Sequence, residues 1–284
     1  MPNGRPFAQV DVFTEVPLLG NPVAVVLDGT GLTTEEMLAF TAWTNLSEAT
    51  FVLPATDPGA DYAVRIFCPG RELPFAGHPT LGTCHAWLMS GGAPRGDAVV
   101  QECGAGLIPI RQTSSGLAFA APPLRRSGPL DAEDLVEIAA CLGIPSSAIV
   151  DHHWCDNGPN WQAVMLARAQ DVLDLTPDPA LLNGRDIGVI GPHPAGTDVD
   201  FEVRAFFPGN QGLTEDPVTG SLNAALAQWL LSTGRAPSTF RTAQGTALGR
   251  RGRVTIEHID ADIWVGGACR TVVRGTVDLH AANP

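Results

Sequence analysis

The sequence predicts an α+β fold made of two homologous domains, each a strongly curved, barrel-like sheet around one central helix. Four observations predict it. Residues 64–70 read VRIFCPG and residues 203–209 read VRAFFPG, identical at five of seven positions at an offset of 139. The same offset aligns Asn21, Ala24, Val25 and Leu27 with Asn160, Ala163, Val164 and Leu166. After a one-residue slip, Pro79, Gly82, Thr83, Ala86 and Leu88 align with Pro217, Gly220, Ser221, Ala224 and Leu226. Finally, each half holds one segment apolar on most faces at helical length, from Leu81 to Met89 and from Leu222 to Leu231, and a helix apolar all round is buried. A repeat at about half the chain length fixes the architecture before any detail, and 284 residues accommodate two domains of ordinary size.

The elements follow in order. AQVDVF and PVAVVL alternate β-branched and aromatic residues and read as strands, separated by the turn Gly20-Asn21-Pro22. Thr33 caps the helix that contains MLAFTAW, and Glu36 closes a capping box. The strands ATFVLPA and YAVRIFC come next, and a Gly/Pro turn leads into the helix TLGTCHAWLMSGG, stopped by Gly91-Gly92. The matching helix, TGSLNAALAQWLLSTG, stops at Gly234. The stretch AAPPLRRSGPL at 120–130 has turn residues and no apolar period, so it reads as a linker, after which Asp131 starts the helix AEDLVEIAACLG. The expected domains are 1–124 and 125–269, with a last strand in 270–284 available to return to the first.

Composition excludes several chemistries. All 17 basic residues are Arg, and the chain has no Lys. A pyridoxal enzyme and a Schiff-base aldolase need a Lys amine, and a P-loop needs its Lys. The net charge of −13 opposes binding to nucleic acid or to anionic membranes. No apolar run reaches spanning length, and MPNGRPFAQVDVF lacks the apolar core of a signal peptide. These readings place the protein in the cytoplasm. The six Cys form no CxxC pair and read as reduced, mostly buried thiols. Asp151-His152-His153-Trp154-Cys155-Asp156 has metal-capable side chains but no second ligand pair at a known spacing, so it reads as a strand end or polar loop, and no metal or other cofactor is expected.

Three stretches can carry chemistry: NLSEATFV (45–52), ELPFAGHPTLGT (72–83) and TEDPVTGSLNAAL (214–226). Both apolar helices open on a Pro followed by small residues, Pro79-Thr80-Leu81-Gly82-Thr83 and Pro217-Val218-Thr219-Gly220-Ser221. Free N–H groups at a helix start make an anion site, which a pseudo-twofold would bring together across a cleft. The plainer alternative is two ordinary helix starts repeated by duplication. In this alignment His78 and Asp216 are equivalent, an acid–base pair in prospect. Glu48, flanked by Leu46 and Phe51, has the surroundings that raise a carboxyl pKa into the useful range for a proton shuttle. Each of the three also has a bland reading, as a surface Glu, a satisfied core His and a capping Asp.

These stretches, with GNPVAVVL near the start and QGTALGR near the end, resemble the PhzF-like family of phenazine-biosynthesis proteins over nearly the whole chain. The resemblance implies the diaminopimelate epimerase-like fold, a homodimer and a cofactor-free isomerase. The founding reaction is the isomerisation of trans-2,3-dihydro-3-hydroxyanthranilate. It implies Glu48 as general acid/base, His78 and Asp216 as supporting groups, and Gly77, Thr80, Gly82, Thr83, Gly220 and Ser221 around a small-molecule carboxylate. The related epimerases use one Cys from each half, and here those places hold Gly77 or His78, and Asp216. Cys103-Gly104-Ala105-Gly106 looks like the epimerase motif but lies past the helix. A thiol epimerase is therefore disfavoured. An isomerase of another secondary-metabolite pathway, such as one making alkylproline units, a thiol-independent epimerase, and a non-catalytic carboxylate binder stay open as alternatives.

Overall fold

The computed structural model describes residues 4–209 and 212–279. The chain divides into two compact units. One runs to Ala120 and resumes at Gly266; the other is Ala121–Val265. The breaks fall at 120 and 265, where 124 and 269 were expected.

The first unit opens with β1 (Arg5–Val12) and β2 (Asn21–Val26), followed by α1 (Thr34–Thr44) and β3 (Ala49–Leu53). Then come β4 (Tyr62–Cys68), β5 (Arg71–Leu73), α2 (Gly77–Met89), β6 (Val99–Cys103), β7 (Gly106–Thr113) and β8 (Gly116–Ala120). The α1 start is the expected capping box: Glu36 N donates to Thr33 Oγ1 at 3.2 Å, and Thr33 N to Glu36 Oε2 at 2.8 Å. The pairs β2/β3 and β4/β6 are parallel and enclose α1 and α2 as crossovers, while β1/β2, β3/β4, β4/β5, β6/β7 and β7/β8 are antiparallel. Helix α2 packs on β1, β2, β3, β6 and β8, so it is the central helix of a curved sheet.

The second unit has the same plan. It comprises α3 (Ala132–Leu142), β9 (Ile149–Asp156), β10 (Asn160–Leu166), α4 (Ala169–Leu173), β11 (Asp186–Pro192), β12 (Phe201–Gly209), β13 (Gly212–Glu215), α5 (Gly220–Ser232), β14 (Thr239–Gln244), β15 (Gly252–Ile259) and β16 (Asp262–Gly267), the last reaching past the unit's boundary. Again two pairs are parallel, β10/β11 and β12/β14. Asp131 stands at the cap position of α3 without a side-chain cap bond. The last strand, β17 (Cys269–Val277), pairs antiparallel with β1 and so returns to the first unit.

The repeated VRxFxPG segments explain themselves. In the first unit, Arg65 pairs with Glu72 at 2.6 Å and lies over the Phe67 ring at 4.9 Å. In the second, Arg204 pairs with Glu215 at 2.8 Å and lies over Phe206 at 4.8 Å. Each Arg thus clamps a strand to its hairpin partner and covers an aromatic ring, which restricts both sites to Arg rather than Lys.

The repeat shifts between strand and helix, which corrects the alignment of helix starts. β4 and β12 keep the offset of 139, but α2 begins at Gly77 and α5 at Gly220. Gly77 therefore matches Gly220, and His78 matches Ser221 as the second residue of its helix. Asp216 lies four residues before α5, so the expected equivalence of His78 and Asp216 does not hold. Pro79 lies in the first turn of α2 as expected, whereas Pro217 lies outside α5, ahead of the cap residue Thr219.

Candidate active site

In the first unit the chemistry gathers around the start of α2. Asn45 ends α1 in the left-handed conformation, at φ 57°, which Asn tolerates better than most residues. The chain then turns through Leu46, which packs with Phe51 in one apolar cluster, and delivers Glu48 just before β3. The Glu48 side chain is 18% exposed, so it is partly desolvated, as its apolar neighbours predict. Its Oε2 lies 3.3 Å from His78 Nε2. The two residues that sequence reasoning selected separately are therefore neighbours.

Burial pushes the His78 imidazole down to about 3, against a smaller opposing pull from the Pro22 carbonyl. The ring is neutral at neutral pH, and the Glu48 contact is a meeting of a carboxyl group with a neutral imidazole rather than an ion pair. On the other side of the ring, Asn21 Nδ2 lies 3.4 Å from Nδ1. The ring is thus held by two residues, Asn21 at Nδ1 and the Pro22 carbonyl. Asn21 and Pro22 come from the GNP turn. The turn itself is held by a bond from Gly20 N to Asp11 Oδ2 at 3.1 Å.

Three residues expected around a carboxylate are engaged in the fold. Thr80 Oγ1 accepts from Gln101 Nε2 at 3.0 Å. Thr83 donates to the Pro79 carbonyl at 2.7 Å, 2.8 Å from the Thr50 hydroxyl. A Cβ on Gly82 would meet Val23 Cγ1 at 2.3 Å, so this glycine lets α2 lie close on β2. Gly77 is buried in the first turn beside His78.

In the second unit Asp216 belongs to a buried polar network. Thr219 Oγ1 donates to Asp216 Oδ2 at 2.6 Å. Gln244 Nε2 donates to Thr219 Oγ1 at 2.9 Å and to the Asp216 carbonyl at 3.1 Å. Gln244 Oε1 accepts from Thr219 N at 3.0 Å and from Asn223 Nδ2 at 2.9 Å, and Asn223 Oδ1 accepts from Thr242 at 2.6 Å. Gln244 is the Gln of QGTALGR, the motif whose role sequence reasoning left blank; Asn223 and Thr242 it missed outright. Gly220 and Ser221 open α5, and Trp161 Nε1 donates to Ser221 Oγ at 3.1 Å. An oxygen that accepts from the indole keeps its own proton to offer to an anion.

The His pair of 151–156 has a structural use within β9. His152 Nδ1 accepts from Leu130 N and His153 Nε2 from Gly128 N, each at 3.0 Å, while the His153 ring stacks on Trp229. Among the described residues there is no cluster of three metal-capable side chains, and no helix is long and apolar enough to cross a membrane.

Comparison with known proteins identifies the family. Residues 10–275 match the family model described as phenazine biosynthesis-like protein. The chain is 36% identical to the protein named antisense-enhancing sequence 1 of Schizosaccharomyces pombe, over 95% of this chain and 97% of that one. It is 33% identical to trans-2,3-dihydro-3-hydroxyanthranilate isomerase of Pseudomonas aeruginosa, over 87% and 88%. The crystal structure of a Bacillus anthracis phenazine biosynthesis protein of the PhzF family superposes with a TM-score of 0.81, at 23% identity over 97% and 99%, and shows the same fold. That fold is the α+β, diaminopimelate epimerase-like one. The chain belongs to the phenazine biosynthesis-like family and is an isomerase of that family.

Proposed function

We propose that the protein moves a proton, and with it a double bond, within a small unsaturated amino or hydroxy acid, without a cofactor. Glu48 is the proton carrier in this reading. Its ionised carboxylate takes a proton from one carbon of the conjugated system, and its acid form returns a proton to another carbon, so substrate and product are isomers. The observation that carries the reading is the 3.3 Å contact between Glu48 and a buried, neutral His78. A neutral His78 puts no positive charge beside Glu48 to hold it ionised, so the carboxyl group can pass between its two protonation states. A positioned acid/base of this kind supplies about 10² to 10⁴-fold. Asp216 is the supporting proton-transfer group of the second unit, held in one rotamer by Thr219. Ser221 and the first N–H groups of α5 take the substrate carboxylate. Thr80, Gly82 and Thr83 drop out of this set, since the fold uses them. A homodimer in the cytoplasm completes the reading and rests on the family resemblance.

The substrate tested first is trans-2,3-dihydro-3-hydroxyanthranilate, the compound in the name of the P. aeruginosa relative. Incubated in D₂O and followed by NMR, it is expected to isomerise with deuterium at one ring carbon. Glu48→Gln is expected to fold normally and to lose about 10²-fold or more in turnover. Near-normal turnover in that variant overturns the role of Glu48. No turnover by the wild type moves the reaction to another unsaturated acid, a second reading favoured by the higher identity to the S. pombe relative, whose name carries no such substrate.

A further inference from the structure

A polar atom at the start of α5 has no part in the reaction just described. Asn157 follows β9 in the turn to β10 and is 8% exposed. Its Nδ2 donates to the Ser221 carbonyl at 2.8 Å. A carbonyl can only accept, so this bond fixes the amide: nitrogen toward Ser221, oxygen on the other branch. Asn157 Oδ1 is buried and has no hydrogen-bond partner among the described residues. A buried carbonyl oxygen in a native fold is completed by a ligand or by ordered water.

The surroundings favour a ligand. Thr219, the cap residue of α5, gives its hydroxyl to Asp216, and the helix has no side-chain cap, so its own cap residue leaves its first N–H groups to an anion. Ser221 is gripped twice, on its carbonyl by Asn157 and on its hydroxyl by Trp161. One helix start thus offers donors, from its N–H groups and the Ser221 hydroxyl, beside one fixed acceptor. That combination fits a molecule carrying a carboxylate with an N–H or O–H group next to it.

We infer that Asn157 Oδ1 accepts a hydrogen bond from an amino or hydroxyl group adjacent to the substrate carboxylate, and so selects amino and hydroxy acids over the bare unsaturated acid. This rests on the reading of the α5 start as the carboxylate site. An amide oxygen cannot donate, so a keto or ether oxygen in the same place is rejected by lone-pair repulsion. A site built around such a bond discriminates strongly against an analogue that lacks the donor.

The test is calorimetric binding of 3-hydroxyanthranilate and of benzoate to the full chain and to Asn157→Ala and Asn157→Asp. The wild type is expected to bind 3-hydroxyanthranilate roughly tenfold or more tightly than benzoate. Asn157→Ala is expected to bind both alike, and Asn157→Asp, which keeps an acceptor, to retain the preference. Loss of the grip on Ser221 alone weakens both ligands equally, so the ratio reports Oδ1 and not the carbonyl bond. Equal binding by the wild type, or a preference that survives in Asn157→Ala, overturns the inference and leaves the proposed isomerase intact. Binding of neither acid overturns the carboxylate site as well. Should Asn157→Ala fail to fold, the wild-type ratio and Asn157→Asp still decide.

Discussion

Thr219 occupies the cap position of α5, yet its hydroxyl donates to Asp216 Oδ2 at 2.6 Å instead of accepting from the helix. A Thr at this position ordinarily accepts from the second or third helical N–H. Here Gln244, from β14, takes over the backbone N–H of Thr219 and also donates to the Thr219 hydroxyl. The hydroxyl thus accepts from Gln244 Nε2 while its proton goes to Asp216. The carboxylate is therefore oriented by a residue 28 positions later in the chain.

Gln244→Leu removes the acceptor of two buried N–H donors and the donor of two oxygens. Leaving buried polar groups unsatisfied costs about 1–3 kcal/mol each. Urea denaturation is expected to show a loss of about 3 kcal/mol or more, and turnover is expected to fall at denaturant-free conditions where the variant is folded. A stable variant with normal turnover would show that Asp216 needs no such support.

The low value of His78 makes stability depend on pH. In the unfolded chain its imidazole titrates at the ordinary 6.5, and in the folded protein at about 3. Between these values the unfolded state holds the extra proton. Stability from His78 is thus complete above pH 6.5 and is lost as pH falls toward 3, by up to about 1.4 kcal/mol per pH unit. Denaturation between pH 7 and 4 is expected to show a steeper acid loss for the wild type than for His78→Asn. Parallel curves would place the proton on the folded ring.

The two Arg–Glu clamps differ in exposure, and so in cost. The side chains of Arg204 and Glu215 are 7% and 9% exposed, whereas those of Arg65 and Glu72 are 28% and 41% exposed. Arg204 also donates to the carbonyls of Val172 and Leu175. Truncating one partner of a buried pair costs about 3–5 kcal/mol, and an exposed pair contributes about 1 kcal/mol or less. Arg204→Ala is expected to destabilise far more than Arg65→Ala in thermal melts. Equal losses would mean that the repeat carries the same load in both units.

Thiols take no part in the proposed proton transfer. Burial pushes Cys84 up to about 12 and Cys155 well above its ordinary value, so neither is a thiolate at neutral pH. Treatment of the native enzyme with N-ethylmaleimide is expected to leave both unmodified by mass spectrometry. Cys103→Ser is expected to keep full turnover. A large drop in that variant would revive a thiol mechanism.

Much of this was readable from local pattern. The capping box of Thr33 and Glu36, the strands around VRxFxPG and the two apolar helices follow from neighbours a few residues apart. Glu48 and His78 were each marked by their motifs, and the parallel β2/β3 crossover is what brings them together. The shift between strand and helix was hidden because Pro217 mimics Pro79 in sequence while lying outside its helix. Gln244 was marked only by a motif without a role, and Asn223, Thr242 and Asn157 gave no usable signal. Buried amides on strands and turns look like any polar residue in an alternating run, and their partners lie 19 to 64 positions away in the chain. Only their hydrogen bonds distinguish them.

The pairing of β17 with β1 makes the second unit an insertion within the first. The backbone passes between the units twice, at 120–121 and again at 265–266. A protease that nicks the linker at 121–130 therefore leaves the second unit covalently joined to β17 alone, and severs both from the first 120 residues. In the nicked protein β1 and β17 belong to different polypeptides. Only the hydrogen bonds and side chains of the first unit then hold its final strand in place. Such a two-fragment form is a direct gauge of how firmly that strand is bound.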